Sequence, residues 1–167
     1  MPVAAPITRD LTIDGVGLGA VGVLGLVAGI AATGGDVARM IVPWIIVVVV
    51  LGLAQVVVSG GWLRTAVADA PAPPPGLEIE DRGAQLRRAG LPTVVALALV
   101  LAAVFAIPAM ASVVAGLAAG AAATDLRTRK WIQELERENG EVILREVTAL
   151  PFATTRKPLW AAPAPPA

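Results

Sequence analysis

Three stretches of the chain carry no charge: from Asp14 to Asp36, from Arg39 to Arg64, and from Arg88 to Asp125. An uncharged apolar run of about 18 residues or more predicts a membrane span, because a helix of that length just crosses a hydrocarbon core of about 30 Å. The first run predicts a span over about Leu11–Ala32 and the second over about Met40–Gly60, with the polar turn "TGGDVAR" between them. The second span is β-branched through "WIIVVVVLGLAQVVV". In water such a run would suit a strand, but in lipid an open strand leaves its backbone groups unpaired, so a helix is expected. Trp44 and Trp62 fall near its two ends, where indole rings favour the membrane interface.

The third apolar region, Ala89–Thr124, has 36 residues and would make a straight helix of about 54 Å, too long for one crossing. Pro108 lies near its middle. Proline disfavours the helical conformation in the residue before it and suits the first turn of a new helix, so a hairpin turning at Ile107 and Pro108 is expected. The alternative is three spans with a long, kinked third helix. Basic residues favour the hairpin. With four spans, 12 of the 13 Lys and Arg share one side, leaving Arg39 opposite, whereas three spans divide them 8 to 5. Because cytoplasmic loops are enriched in Lys and Arg, both termini are placed in the cytoplasm. "FAIPAMA" lacks the Gly, Asn or Asp usual in a tight turn.

The fold class expected is therefore an all-α integral membrane protein with four transmembrane helices in two hairpins and short amphipathic cytoplasmic segments. The first hairpin covers residues 1–62. A cytoplasmic Pro-rich linker and interfacial helix cover 63–90, where "APAPPPG" is stiff and extended. "LEIEDRGAQLRRAGLP" then predicts a short helix on the membrane surface, ended by Gly90, with Arg87 and Arg88 facing lipid head groups. The second hairpin covers 91–124. The cytoplasmic tail, 125–167, opens on an amphipathic helix with Trp131, Ile132 and Leu135 on one face and a stop at Asn139–Gly140. "EVILREV" would pair as a strand or lie along a partner, and "PLWAAPAPPA" reads as disordered. Some 43 residues are too few for a free-standing domain, so the tail is expected to dock on the membrane, on the central loop or on another protein.

Composition removes much chemistry. The chain is 56% hydrophobic and 16% charged, with no net charge, so no global field favours nucleic acid. It has no Cys and no His, which excludes thiolate catalysis, Cys-ligated metals and the commonest general base and metal ligand. Only Ser59 and Ser112 represent serine, so a Ser-His-Asp triad cannot be built. No cofactor, no small-molecule substrate and no enzyme activity is expected. Heavy use of Ala, Val, Gly, Pro and Arg suggests a bacterial inner membrane. A cleaved secretory signal is not expected, since the first span is flanked by Asp10 and Asp14 and exceeds an h-region of about 7–15 residues.

Gly17, Gly19 and Gly22 spell G-x-G-x-x-G. A dinucleotide site would also need a preceding strand, a helix meeting the pyrophosphate and an acidic residue about 20 positions on. Asp36 comes 14 residues after Gly22, in a turn between spans. Gly15, Gly19, Gly22, Gly25 and Gly29 instead recur at helical spacing as one stripe, a surface that admits a second backbone closely. Ser112, Gly116, Gly120 and Ala123 repeat the device in the fourth span. Two polar residues border or enter the spans. Asp14 is read as a wet first-turn residue complementing the helix dipole, and Gln55 as a hydrogen-bonding group between helices. Arg127, Arg129, Lys130 and Trp131 are candidates for contact with lipid or a partner. No span carries a charge at its centre, which disfavours a free-standing proton-coupled transporter. The function expected is a non-enzymatic accessory, scaffold or assembly subunit, associating with the lipid bilayer and with other membrane subunits or itself. The second reading is a small oligomeric channel, holin-like pore or transporter component.

Overall fold

The computed structural model describes residues 2–147 and 158–164, with the side chains of 55–62 and 64 left out. The chain forms β1 (Val3–Pro6), α1 (Ile7–Ala32), α2 (Val37–Ala68), β2 (Glu78–Ile79), α3 (Arg82–Ala89), α4 (Leu91–Ala106), α5 (Pro108–Asn139), β3 (Glu141–Glu146) and β4 (Leu159–Pro163). It is mostly helical, and four helical stretches are long and apolar enough to cross a membrane: Ile7–Ala32, Val37–Ala54, Arg82–Ala106 and Pro108–Asn139.

Local chemistry explains the breaks. After α1, Thr33 turns its hydroxyl back onto the carbonyls of Gly29 and Ile30, and Gly34 and Gly35 take positive φ, which a side chain would oppose. The Asp36 carboxylate then accepts the Arg39 amide and caps α2. The turn between α4 and α5 needs no glycine. Ile107 takes an extended conformation, φ −144° and ψ 81°, and Pro108 occupies the first turn of α5, as the restriction before proline and the fit of proline at a helix start require. Two hairpins result, and the long kinked helix is not formed. Gly140, at φ 67°, ends α5.

Three expectations are corrected. The protein is not all-α: a four-stranded sheet of order β2-β1-β3-β4 joins the two ends of the chain. β1 runs parallel to β2 and antiparallel to β3, with Ala5 opposite Arg145, and β3 pairs antiparallel with β4, with Leu144 opposite Trp160. Nor is the end of the tail wholly without order, because "LWAAP" is β4. Its outer edge is blunted in two ways: the Ala161 amide donates to the Pro71 carbonyl of the Pro-rich linker, and Pro163 has no amide to offer. The tail thus docks on the N-terminal strand and the central loop of its own chain. The tail helix is also no separate element, since α5 continues unbroken from the fourth apolar stretch to Asn139.

Packing divides the molecule into a bundle and a headpiece. In the bundle, α1 packs most extensively on α5, α4 lies against both, and α2 rests on the other side of α5. Its core is small: Leu18, Val21, Val100, Ala115, Ala118 and Ala122. The headpiece has its own core, where Ile7, Val67, Ile132, Ile143 and Leu159 meet beneath the sheet. The ends of α1, α2 and α5 reach into it, so each helix starts or finishes beyond the limit of its apolar run. α5, with 32 residues, is about 48 Å long and exceeds one hydrocarbon thickness by about 18 Å.

Candidate functional site, a charged junction between bundle and headpiece

The apolar run of α1 is preceded by Asp10, one turn before Asp14. Packing of Ile7 and Asp10 into the headpiece draws the helix start back to Ile7, four residues before Leu11. Asp10 is 1% exposed, and burying an ionised carboxylate requires partners. It has three. Arg88 Nη2 lies 2.9 Å from Oδ1 and 3.1 Å from Oδ2. Arg145 Nη2 donates to Oδ2 at 2.8 Å, and Gln85 Nε2 donates to Oδ1 at 2.7 Å.

Each partner is held in turn. Glu80 accepts from Arg88 Nη2 at 2.7 Å and from its Nε at 3.1 Å. Gln85, fully buried, also donates to the Pro6 carbonyl and accepts from Arg9 Nη1. Asp10, Glu80, Arg88 and Arg145 form an electrically balanced quartet drawn from α1, the segment before α3, α3 itself and β3. Asp81, just before α3, accepts the amides of Gly83 and Ala84, and these backbone bonds hold its carboxyl below the usual value of 3.8.

Arg88 was expected at lipid head groups beside Arg87. That assignment is corrected: α3 turns Arg88 inward onto Asp10 and Glu80, and Arg87 stays exposed. Asp14 also departs from expectation. It lies two turns into α1 and not in the first turn, and its Oδ1 is buried without a hydrogen-bond partner. Asp125 of α5 carries a second carboxylate near it.

The glycine stripe faces the chain's own helices. A Cβ at Gly22 would stand 2.7 Å from the Ala119 Cβ, 2.8 Å from the Ala119 amide nitrogen and 2.9 Å from the Ala115 carbonyl oxygen, all on α5. Gly15 meets Leu126 at 2.8 Å, Gly19 meets Ala122 at 3.6 Å, and Gly29 meets Met40 and Ala111. Gly25 is shared, with Val100 of α4 at 2.7 Å and Ala115 of α5 at 3.0 Å. Gly116 and Gly120 serve another contact, against Trp44 and Val47 and against Leu51 of α2. Ser112 is fully buried and bonds the Ala109 carbonyl; Ala123, grouped with it in sequence, is exposed. The Gln55 and Trp62 side chains lie outside the described residues. Trp44 packs against the bundle core. Arg127 and Lys130 are exposed on α5, Arg129 is partly buried, and Trp131 packs with Leu135 against the headpiece core.

Sequence reasoning missed Asp10, Glu80, Gln85, Arg88 and Arg145 as one constellation. A weak signal existed in Asp10 and Asp14, which share a helix face immediately before an apolar run. Nothing local announces Arg145, 135 residues away from Asp10. Among the described residues no group of three or more His, Cys, Asp or Glu side chains is arranged to hold a metal ion. No protein family, curated protein or solved structure matches the chain.

Proposed function

We propose that the protein is a multi-pass subunit of a bacterial inner membrane, with both termini cytoplasmic, that works as a non-enzymatic accessory, scaffold or assembly component. In this reading the hydrocarbon core begins near Asp14, Asp125 and Leu91 and ends near Ala32, Val37 and Ile107. The headpiece then stands in the cytoplasm. The observation that carries it is how the polar groups are spent. Among the described residues, Asp10, Glu80, Arg88 and Arg145 neutralise one another across four segments, locking the headpiece to the bundle. The glycines close contacts within the chain, so a Leu at Gly22 or Gly116 is expected to disrupt the fold before any assembly. What remains for partners is the cytoplasmic headpiece surface and the outer faces of α2 and α4. Among the described residues of those faces, Val42, Ile46, Val50, Val94, Leu101 and Phe105 are all exposed.

Affinity purification of the tagged chain in mild detergent tests the proposal: a second membrane protein should co-elute in fixed ratio. Isolation of the chain alone, in an extract where it is fully solubilised, argues against a scaffold. One observation favours the channel reading. Asp14 Oδ1 and Thr93 Oγ1 are shielded between helices without protein partners, and water would satisfy them. Leak of a small fluorophore from reconstituted vesicles would select that reading, and tight vesicles at high protein content would remove it.

A further inference from the structure

α3 and α4 are nearly one helix. Gly90 between them keeps helical angles, φ −78° and ψ −11°, and its amide and carbonyl continue the ladder to Leu86 and Val94. Along this rod Arg87, Leu91, Val94, Ala98, Leu101 and Phe105 follow one another at steps of three or four, on a single face. All six are exposed, and Phe105 is 86% exposed. The 18 steps from Arg87 to Phe105 rise about 27 Å, close to one hydrocarbon core of about 30 Å.

Two neighbouring helices set the same limits. From Asp14 the uncharged part of α1 runs to Ala32, and the uncharged part of α5 runs from Pro108 to Asp125. The Gly15–Leu126 and Gly17–Thr93 contacts put those starts side by side with α4. Arg87 lies six residues on the headpiece side of Thr93, about 9 Å further along the helix. Its guanidinium is therefore placed at phosphate depth, at the head of the lipid-facing stripe. Its charge reaches the exposed Asp81 carboxylate, which is held first by the amides of Gly83 and Ala84. Glu80 is engaged by Arg88, and Glu78 and Asp81 lie at the other end of α3, where Asp81 caps the helix.

We propose that Arg87, with Leu86 and Leu91 inserted beside it, forms a binding surface for the anionic phospholipids of the headpiece-side leaflet. The proposal rests on the membrane reading above and adds which residue meets which lipid. Arginine suits the role because its planar fork pairs with a phosphate through two N–H donors. A cationic side chain near an anionic surface is worth about five-fold in lipid preference.

The full chain in non-ionic detergent is titrated with phosphatidylglycerol or phosphatidylcholine and followed by native mass spectrometry and thermal unfolding. Wild type should bind and be stabilised by phosphatidylglycerol about five-fold better. Arg87→Gln should lose that preference, Arg87→Lys should keep most of it, and Arg137→Gln, far along α5, should leave it intact. A preference that survives Arg87→Gln overturns the proposal, as does equal binding of the two lipids by wild type. Should Arg87→Gln not fold, the salt response of wild type decides: a preference unchanged between 50 and 500 mM salt (about a threefold change in screening length) also overturns it. Failure of wild type to float with vesicles of either lipid would instead remove the membrane reading itself.

Discussion

Replacing Asp10 by Ala removes the acceptor on which Arg88, Arg145 and Gln85 converge. Breaking one partner of a buried ion pair costs about 3–5 kcal/mol, because the other charge is left in a poorly solvated place. Two features moderate that here. Arg88 retains Glu80 at 2.7 Å, and the Arg145 side chain is 28% exposed, so water reaches it. Gln85, fully buried, loses one acceptor and keeps the Pro6 carbonyl for its amide. The expected destabilisation is therefore about 3 kcal/mol, the lower end of the range. Asp10→Asn should fall between Ala and wild type, since it retains one acceptor oxygen but turns an amide donor toward the arginines. The assay is equilibrium unfolding in mixed micelles, followed by circular dichroism, with amide exchange read separately at β1, β3 and the middle of α5. Exchange should quicken in β1 and β3 first, because the quartet ties the sheet and α3 to α1, whereas the middle of α5 is held by the bundle core. In a double-mutant cycle, Asp10→Ala and Arg145→Ala should be coupled by about 1 kcal/mol, as groups in one ion network are. An Asp10→Ala variant within about 0.5 kcal/mol of wild type, the range of ordinary surface substitutions, would refute the reasoning: the junction would then be decoration on a sheet held by its own core.

Two further outcomes follow from packing. Gly22→Ala should destabilise the bundle by about 1–3 kcal/mol, the range for overpacking, because the new methyl meets backbone atoms of α5. Gly52→Ala, on α2 with nothing within 4 Å, should be neutral or stabilising by up to about 1 kcal/mol; thermal unfolding of the pair side by side checks both. Ile132→Ala, at a fully buried position beneath the sheet, should cost about 2–5 kcal/mol and raise amide exchange in β3 and β4 while leaving the middle of α4 unchanged.

Sequence reading succeeds here where the physics is local. Absence of charge over a run of fixed length forecasts a helix that lipid would accept, and the backbone restriction before Pro108 forecasts a break at Ile107 whatever surrounds it. The residues of the headpiece were harder to read. "EVILREV" held a strand signal but no partner, and the partner, Val3–Pro6, is four residues long and includes a proline. "LWAAP" had no signal above its proline-rich surroundings and became β4 because β3 lay ready to pair with it. Arg88 was misread because a charge beside an apolar run suits a head group as well as it suits a buried carboxylate; only the turn of α3 over Asp10 distinguishes the two.

Local sequence thus determined the four apolar helical stretches, their order, the turn positions and the small residues along α1 and α5, since each depends on side chains within a few turns of one another. Tertiary structure decided what those surfaces meet: α1 against α5, the Gly116–Gly120 patch against α2, and Asp10 against arginines from α3 and β3. The reason is that a glycine stripe or a buried acid specifies what must approach it, a bare backbone or a cation, without specifying which part of the chain supplies it. That choice is made by the summed packing of all the elements at once.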